Sequence, residues 1–355
     1  MAEQTHVILV DDSAVARGMW TRALQDDSDI IVKTAFASAK QAIDYLKLFP
    51  VDVVILDIEM PDMDGLTAIP LIRKARPEAK ILIASAHSKS GSENAMKALT
   101  LGAADIISKP SSLVPGLSLK STEEELRSKV RALGRRKGML HKPAMESPYL
   151  TQNRVISRPE ILVVGTSTGG PPALIEFFKA LPKSVDLPVL LVQHMPPLFT
   201  GILAKTLSHE TQWKCREAKN DDAIVAGEIR IAPGDFHLRV TRGFRLALDQ
   251  APPENYCRPA VDPLFRSAAD VFGEAVLGVV LTGMGEDGKK GAQSIVDHGG
   301  VVFAQDEASS TVWGMPGAVV RAGLASFMGP VPEIVERVAR AYQAGIVPRG
   351  VRQKG

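Results

Sequence analysis

The amino-acid sequence predicts an α/β protein with two domains, each built around a mostly parallel β-sheet. Two blocks of the chain alternate short apolar runs with helix-length amphipathic stretches, a pattern typical of parallel strands joined by helices. A polar segment with several prolines separates the two blocks. The length of 355 residues is sufficient for two domains with separate cores.

The first block, residues 1–120, predicts a flavodoxin-like (βα)5 domain because it contains five strand candidates. In chain order these are HVILV, IIVKTAF, VDVVILD, KILIASA and ADIISKP, between residues 6 and 110. Helix-length stretches such as AVARGMWTRALQ and SAKQAIDYLKLF lie between them. Strands that alternate with helices in this way form an open sheet, and such sheets bind ligands at their carboxyl edge.

The segment of residues 121–159 is predicted to be a linker that contains one charged helix. The stretch SLKSTEEELRSKVRALG has a serine or threonine that can cap a helix, glutamates in the first turn, and Gly134 at its end. Three prolines follow among polar residues, as is typical of a linker. The basic cluster GRRKG has no interleaved aromatic side chains, so we interpret it as solvated linker and expect no nucleic-acid partner.

The second block, residues 160–348, predicts a doubly wound, mostly parallel α/β domain, followed by a short tail at residues 349–355. Its clear strand candidates are ILVVG, LPVLLVQ, EIRIAPG, AVLGVVLTG and GVVFAQ. A shorter candidate, FRLALDQ (residues 244–250), is predicted to form a hairpin with residues 237–241. The second domain therefore combines a parallel sheet with antiparallel additions.

Composition excludes several classes of protein. The sequence contains no run of 18 apolar residues, so we expect no membrane-spanning helix, and its N-terminus lacks the pattern of a secretory signal. The two cysteines, Cys215 and Cys257, are too far apart in sequence to suggest a zinc site, and two thiols do not make a disulfide framework. We therefore expect a cytoplasmic protein without membrane insertion.

Five polar residues of the first block stand at the ends of four strand candidates, at the predicted carboxyl edge of the sheet. They are Asp11, Asp12, Asp57, Ser85 and Lys109. Three carboxylates at neighbouring strand ends repel one another unless a cation neutralises them, and Mg²⁺ prefers such oxygen ligands. With a lysine and a serine to bind phosphoryl oxygens, Asp57 is predicted to be a nucleophile toward phosphate.

Residues 5–120 resemble the response-regulator receiver family, with LDIEMPDMDG (residues 56–65) around Asp57 as the matching motif. The resemblance implies phosphorylation at Asp57. It also implies that Asp11, Asp12, Asp57 and the backbone carbonyl of Glu59 bind Mg²⁺. The resemblance further implies that Ser85 and Lys109 contact the phosphoryl group.

The turn GTSTGG, which follows the strand candidate at residues 161–165, has two interpretations. A dinucleotide-binding turn would have glycine where Ser167 stands, and a phosphate-binding P-loop needs a lysine that does not occur before Lys179. The pattern Gly-x-Ser-x-Gly instead fits a tight strand-to-helix turn that exposes a serine hydroxyl. The sequence therefore favours a nucleophilic serine over a bound phosphate.

A nucleophilic serine needs a base, and His194 follows the strand candidate VLLVQ directly. A third residue should orient the imidazole, and Asp287 lies in a glycine-rich loop after a strongly apolar strand candidate. Asp262 in CRPAVDPLF is its main rival, and the less favoured alternatives are Asp221, Asp222 and Asp235. Only the geometry of these roles needs to recur between unrelated folds, so the chain order Ser-His-Asp is acceptable.

Residues 160–348 resemble the catalytic domain of the chemotaxis protein-glutamate methylesterase (CheB) family. The matching stretches are GTSTGG, QHMPPLFT, IAPGD, RPAVDPLF, LTGMGEDG, AQDEAS and GMPGAVV. The resemblance implies that Ser167 is the nucleophile, that His194 is the general base and then acid, and that Asp287 orients it. Thr168 and the backbone amide of Met284 would form the oxyanion hole.

The combined resemblance implies a serine esterase that is activated by phosphorylation. Its substrates would be glutamate γ-methyl esters, and certain glutamines, of methyl-accepting chemoreceptors, and its phosphodonor the chemotaxis histidine kinase. Mg²⁺ would serve the receiver only, with no cofactor for the esterase step. The protein would be cytoplasmic and associated with chemoreceptor arrays, and phosphorylation of Asp57 would relieve obstruction of Ser167 by the receiver domain.

Two alternatives remain open from the sequence. The first is a non-enzymatic response regulator whose second domain binds a nucleotide or nucleic acid, although the zero net charge over residues 161–355 and the lack of a helix-turn-helix pattern disfavour it. The second is the same esterase chemistry on a receptor array that controls a pathway other than motility.

Overall fold

The computed structural model describes residues 4–85, 88–109, 119–134 and 158–344. The chain divides into two compact units, Met1–Lys142 and Pro143–Gly355. The predicted linker beyond residue 134 and the predicted tail at residues 349–355 lie almost entirely outside the described residues. No helix among the described residues has both the length and the apolar character needed to cross a membrane.

The first unit contains a five-stranded parallel sheet in the order β2-β1-β3-β4-β5, which confirms the flavodoxin-like prediction. Its elements are β1 (Thr5–Val10), α1 (Ala14–Gln25), β2 (Ile30–Phe36), α2 (Ala39–Leu48), β3 (Val53–Asp57), α3 (Gly65–Ala75), β4 (Lys80–Ser85), α4 (Lys89–Thr100), β5 (Asp105–Ser108) and α5 (Leu119–Gly134). The central strands β1 and β3 are almost wholly buried, as expected where helices cover both faces of a sheet. Four of its helices begin with a side-chain cap, from Ser13, Ser38, Asp64 and Ser88.

The charged helix α5 packs against the elements of the first unit, so we count it with that unit rather than with the linker. Leu126, Val130 and Leu133 are buried on one face of the helix. Arg127 donates a hydrogen bond to the carbonyl oxygen of Ala23 at 2.7 Å. This short apolar face lies in a helix rich in charged residues, which is why the sequence alone placed the helix in the linker.

The second unit contains a seven-stranded sheet in the order β14-β13-β12-β6-β7-β9-β8, with every neighbouring pair parallel. Its strands are β6 (Ile161–Thr166), β7 (Val189–Gln193), β8 (Lys214–Glu217), β9 (Glu228–Ile231), β10 (His237–Val240), β11 (Leu246–Asp249), β12 (Val276–Val280), β13 (Val301–Gln305) and β14 (Phe327–Gly329). The antiparallel hairpin of β10 and β11 confirms the predicted addition. The two edge strands β8 and β14 were not predicted, because both are short and only partly buried.

The helices of the second unit are α6 (Gly170–Ala180), α7 (Phe199–Thr211), α8 (Val261–Phe272), α9 (Lys289–Asp297), α10 (Met315–Arg321) and α11 (Val331–Ala344). Helix α6 packs against α7 and α11, whereas α9 packs against α8 and α10. The sheet strands β6, β7, β12 and β13 are fully buried, which confirms a doubly wound domain.

The point at which the strand order reverses lies beside β6. From β6 the chain proceeds through β7 to β9 on one side, and it returns to β12 on the other side. In open α/β sheets the crevice at such a point, outside the carboxyl ends of the strands, is where ligands bind. The turn after β6 therefore stands at the position in the domain where a binding site is expected.

Candidate active sites

In the first unit, Lys109 lies between two buried carboxylates at the carboxyl edge of the sheet. Its Nζ atom is 2.9 Å from Asp11 Oδ2 and 2.8 Å from Asp57 Oδ2. Burial raises the pKa of Asp57, and the hydrogen bond and charge of Lys109 offset only part of this effect. Burial alone would lower the pKa of Lys109, but the two carboxylates raise it above its ordinary value, so the lysine stays charged.

The three aspartates predicted to bind a metal come together in the structure. Asp11, Asp12 and Asp57 each offer a carboxylate oxygen, and these atoms all lie within 4.8 Å of one another. The backbone N–H of Glu59 donates a hydrogen bond to Asp57. A cluster of hard oxygen donors in this arrangement fits Mg²⁺.

Two small residues adjoin the Asp57 region. Ser85 is buried at the end of β4, and its hydroxyl donates a hydrogen bond to the carbonyl oxygen of Gly91 at 3.0 Å. A Cβ atom on Gly65 would lie 2.4 Å from the carbonyl oxygen of Asp57. Glycine at the start of α3 therefore permits close packing against the backbone that carries Asp57.

In the second unit, three adjacent strands bring the predicted catalytic loops together. Thr166 at the end of β6 is the register partner of Gln193 at the end of β7, and His194 N–H donates to the carbonyl oxygen of Thr166 at 3.1 Å. On the other side of β6, Ser167 N–H donates to the carbonyl oxygen of Thr282 at 3.0 Å. Ser167 and His194 therefore follow paired residues at one edge of the sheet, where neighbouring strands lie about 4.8 Å apart.

The backbone turn that carries Ser167 is fixed by packing and by hydrogen bonds. Gly169 adopts a φ of 79°, and a Cβ atom there would lie 2.4 Å from Cβ of Thr311. Gln193 Nε2 donates to the carbonyl oxygens of Ser167 at 3.0 Å and His194 at 3.2 Å. Ser167 is 9% exposed at the start of the turn. These contacts fix the backbone of the turn at the carboxyl edge of the sheet.

Asp287 is a buried carboxylate that holds the imidazole of His194. Its Oδ2 atom lies 2.7 Å from His194 Nε2, and the side chains are 1% and 10% exposed respectively. Burial raises the pKa of Asp287, but the hydrogen bond and charge of His194 and several backbone N–H groups lower it below the ordinary value. Besides His194, its hydrogen-bond donors are Val261 N, Asp262 N, Gly288 N and Asn255 Nδ2.

Asp262, the rival of Asp287 in the sequence, does not contact His194 among the hydrogen bonds of the described residues. Its Oδ1 atom accepts a hydrogen bond from Gly291 N at 2.7 Å, and its Oδ2 atom accepts one from Asn255 Nδ2 at 3.0 Å. Burial and the neighbouring charge of Asp287 raise the pKa of Asp262. Of the lesser rivals, Asp222 and Asp235 pair with arginines.

The two predicted oxyanion donors adjoin Ser167. Thr168 follows it in the turn and is buried, and its carbonyl oxygen accepts a hydrogen bond from Thr282 Oγ1 at 2.9 Å. Met284 follows Gly283, where a Cβ atom would lie 2.9 Å from Cβ of Ser167. The backbone N–H of Met284 donates to no atom within the described parts of the chain. The loop after β12 therefore packs directly against the serine.

The second ring nitrogen of His194 faces a cysteine that the sequence analysis did not consider for the site. Nδ1 lies 3.4 Å from Cys257 Sγ. Burial alone would lower the pKa of His194, but Cys257 and Asp287 together raise it to about 10. The hydroxyl of Ser167 forms no hydrogen bond within the described residues, and the hydrogen-bonding contacts of the His194 ring are with Asp287 and Cys257.

Sequence reasoning thus missed three contributors to the site. They are Gln193, Asn255 and Cys257. Gln193 is the last residue of β7 and directly precedes His194, and this position at the strand end is the one signal that could have identified it. Cys257 and Asn255 lie in an irregular loop 63 and 61 residues beyond His194, where no periodicity links them to it.

Comparison with known proteins places both units in described families. The family model of the response regulator receiver domain matches residues 7–115, and the family model of CheB methylesterase matches residues 162–338. A protein-glutamate methylesterase/protein-glutamine glutaminase of Caulobacter vibrioides is 46% identical over 94% of this chain and 97% of its own. The corresponding protein of Paramagnetospirillum magneticum is 42% identical over 94% of each chain.

A solved structure resembles the second unit. The CheB methylesterase catalytic domain of Thermotoga maritima is 38% identical in sequence and superposes with a TM-score of 0.50. The match covers 51% of this chain and 98% of that domain.

Proposed function

This chain belongs to the CheB methylesterase family and carries a response regulator receiver domain, and we propose how its residues perform the chemistry of that family. The activity is that of a protein-glutamate methylesterase and protein-glutamine glutaminase. The observation that carries the assignment of residues is the 2.7 Å contact between His194 Nε2 and Asp287 Oδ2 beside the Ser167 turn.

In the proposed first step, Ser167 Oγ attacks the carbonyl carbon of the glutamate ester or glutamine amide. His194 Nδ1 accepts the hydroxyl proton, because Asp287 occupies Nε2 and fixes the orientation of the ring. The imidazolium then donates that proton to the leaving group, which departs as methanol or ammonia. Asp287 stays ionised throughout and stabilises the imidazolium.

In the second step, a water molecule attacks the acyl-enzyme while His194 accepts one of its protons. The same proton returns to Ser167 Oγ, and the glutamate product loses the other proton of the water to solvent as it ionises to the carboxylate. We assign the stabilisation of both tetrahedral intermediates to Thr168 and to the backbone N–H of Met284. One such donor typically lowers the barrier by about 2.7–4 kcal/mol.

For the receiver domain, we propose that Asp57 accepts a phosphoryl group from the chemotaxis histidine kinase. Asp11, Asp12, Asp57 and the backbone carbonyl of Glu59 would hold Mg²⁺, which would offset the charge that accumulates on the transferred group. Lys109, which already contacts Asp57, would bind one phosphoryl oxygen. Ser85 would donate a hydrogen bond to another once it releases the carbonyl of Gly91.

The substrates are proposed to be methyl-accepting chemoreceptors, with the protein in the cytoplasm beside the receptor arrays. Phosphorylation of Asp57 would relieve obstruction of Ser167 by the receiver domain, and the predicted linker would permit the rearrangement. Deletion of residues 1–150 is then expected to raise the basal rate of ester hydrolysis. An unchanged or lower rate would argue against inhibition by the receiver.

The decisive test of the catalytic assignment is the variant Ser167→Ala. It should abolish methanol release from methylated receptor membranes and leave the phosphorylation of Asp57 by a phosphodonor intact. Ser294→Ala, in helix α9 of the same domain, is the matched control and should retain activity. Methanol release by the Ser167 variant at a rate near that of the wild type would contradict the assignment.

A further inference from the structure

Cys257, His194 and Asp287 form a second linear cluster within the catalytic domain. Cys257 Sγ lies 3.4 Å from Nδ1 of the imidazole, and Asp287 Oδ2 lies 2.7 Å from Nε2. The order thiol, imidazole, carboxylate is the arrangement by which proteins activate a nucleophilic cysteine. The catalytic histidine therefore has two potential proton donors, Ser167 and Cys257, on the same nitrogen.

A tight turn fixes the position of the thiol. Glu254 and Cys257 exchange two backbone hydrogen bonds, of 3.1 Å and 2.9 Å. The two residues between them, Asn255 and Tyr256, have φ values of 53° and 63°, as a type I′ turn requires. Arg266 holds the carboxylate of Glu254 through two hydrogen bonds, of 2.7 Å and 3.0 Å.

The same turn is tied to the catalytic carboxylate. Asn255 Nδ2 donates to Asp287 Oδ1 at 2.9 Å, and Asp287 holds His194. One short turn thus positions both a thiol against Nδ1 and an amide against the residue that orients Nε2. A contact that is anchored from both ends in this way is a built feature of the site.

The other cysteine of the chain lacks these features. Burial raises the pKa of Cys215 to about 12, and its backbone N–H and carbonyl groups are hydrogen-bonded to the hydroxyl of Ser208. A thiol whose pKa is raised by burial forms little thiolate, whereas a thiol beside an imidazole can lose its proton to it. Both cysteines are partly exposed, so the neighbouring imidazole, and not access, distinguishes Cys257.

We propose that Cys257 is a hydroperoxide-sensitive thiol whose oxidation withholds His194 from Ser167. In the step, His194 Nδ1 accepts the thiol proton, and the thiolate attacks one oxygen of hydrogen peroxide. An S–O bond forms, the O–O bond breaks, and the departing hydroxide takes the proton from the imidazolium to leave as water. Sulfur loses two electrons and the peroxide gains them, so one thiol and one peroxide yield one sulfenic acid and one water.

The consequence for catalysis follows from the shared nitrogen. The 3.4 Å between Sγ and Nδ1 leaves no room for an oxygen between them, so the oxidised side chain has to shift until the sulfenic oxygen lies against Nδ1. There its O–H group donates a hydrogen bond to the imidazole. His194 then cannot accept the proton of Ser167, and ester hydrolysis stops until a thiol reductant restores Cys257. This inhibition rests on the proposed esterase function, whereas the reactivity of the thiol does not.

The experiment treats the purified full-length protein with hydrogen peroxide and measures methanol release and covalent modification side by side. In the wild type and in Cys215→Ala, peroxide should lower the rate of methanol release by about tenfold or more relative to the same protein untreated, and dithiothreitol should restore the rate. Cys257→Ala, compared with its own untreated rate, should change less than about twofold. Dimedone, which traps sulfenic acids, should add to Cys257 and not to Cys215, as read by peptide mass spectrometry.

A second measurement keeps the proposal independent of esterase activity. The rate at which iodoacetamide alkylates Cys257 should fall in His194→Ala, while Cys215 stays unreactive in both proteins as a check that the fold is intact. Equal alkylation in the two proteins would overturn the proposal, as would a Cys257→Ala variant that peroxide inhibits like the wild type. If the untreated protein released no methanol, the proposed function would fail, but the alkylation rates would still decide whether His194 activates Cys257.

Discussion

Asp287 and Asp262 cap each other's helices. Asp287 accepts hydrogen bonds from Val261 N at 2.6 Å and Asp262 N at 3.1 Å, in the first turn of α8. Asp262 accepts one from Gly291 N at 2.7 Å, in the first turn of α9. Because the positive end of a helix dipole stabilises an anion, this exchange keeps a buried carboxylate ionised beside His194.

This relationship predicts that Asp287→Asn removes most of the activity. An amide has no charge to stabilise the imidazolium and favours the wrong tautomer of His194, so the rate should fall by about 10³–10⁴-fold. The measurement is the steady-state rate of methanol release, with the melting temperature recorded in parallel.

Asp262→Asn is the matched control, because it perturbs the same pair of helix caps without touching the imidazole. We expect its free energy of unfolding to fall by about 1 kcal/mol, as in Asp287→Asn, but its rate of methanol release to fall far less. Equal rate losses in the two variants would mean that capping, and not the charge beside His194, sets the rate.

Gln193 is expected to position both the nucleophile and the base. In Gln193→Glu the side chain keeps its shape, but a carboxylate cannot donate to the carbonyl oxygens of Ser167 and His194. We expect a loss of about 1–3 kcal/mol in the free energy of unfolding and a lower kcat with KM little changed.

Gln305, on β13, provides the comparison, because it donates to neither carbonyl oxygen. Gln305→Glu also replaces a buried amide, but Gln305 supports the Ser167 turn only indirectly, through the backbone of Thr282. A kcat loss as large as that of Gln193→Glu would indicate a general effect of a buried charge.

The pH dependence of hydrolysis should reflect the charges around His194. Burial would lower the pKa of the imidazole, but Cys257 and Asp287 raise it to about 10. The neutral base is populated only as the pH rises through that pKa, so the rate should increase from neutral into alkaline solution.

Cys257→Ala removes one of the groups that raise the pKa of His194, so its rate should begin to rise at a lower pH. Profiles of methanol release against pH for the wild type, this variant and Cys215→Ala test the idea. Superimposable profiles of the wild type and Cys257→Ala would be inconsistent with it.

Removal of divalent metal should separate the two chemistries. A chelator is expected to abolish phosphorylation of Asp57, because Lys109 alone would then offset the repulsion between the three aspartates and the incoming phosphoryl group. Basal methanol release by the unphosphorylated protein should not change. The two assays on one chelated sample, with Mg²⁺ added back, provide the check, and a chelator-sensitive basal rate would count against a metal-free esterase step.

The sequence by itself determined the first sheet, the second sheet except for its two edge strands, and the strand ends that carry most of the proposed site residues. Apolar runs that alternate with amphipathic helices are local patterns, and parallel pairing then brings their ends to one edge. This is why Ser167 and His194, which follow paired residues of β6 and β7, could be selected without coordinates. The same parallel pairing predicts that Asp11 and Asp57 lie close together, and in the structure Lys109 contacts both of them.

Only the tertiary structure decided which long-range partners these residues have. Asp262 and Asp287 both precede or begin helices near the same edge, and the packing of α8 against α9 directs one carboxylate to His194 and the other to Gly291. Cys257 reaches the imidazole across 63 residues of chain, through a turn that no periodic pattern marks. Periodicity encodes which face of an element is buried, whereas side-chain contacts between distant loops depend on how the finished elements pack.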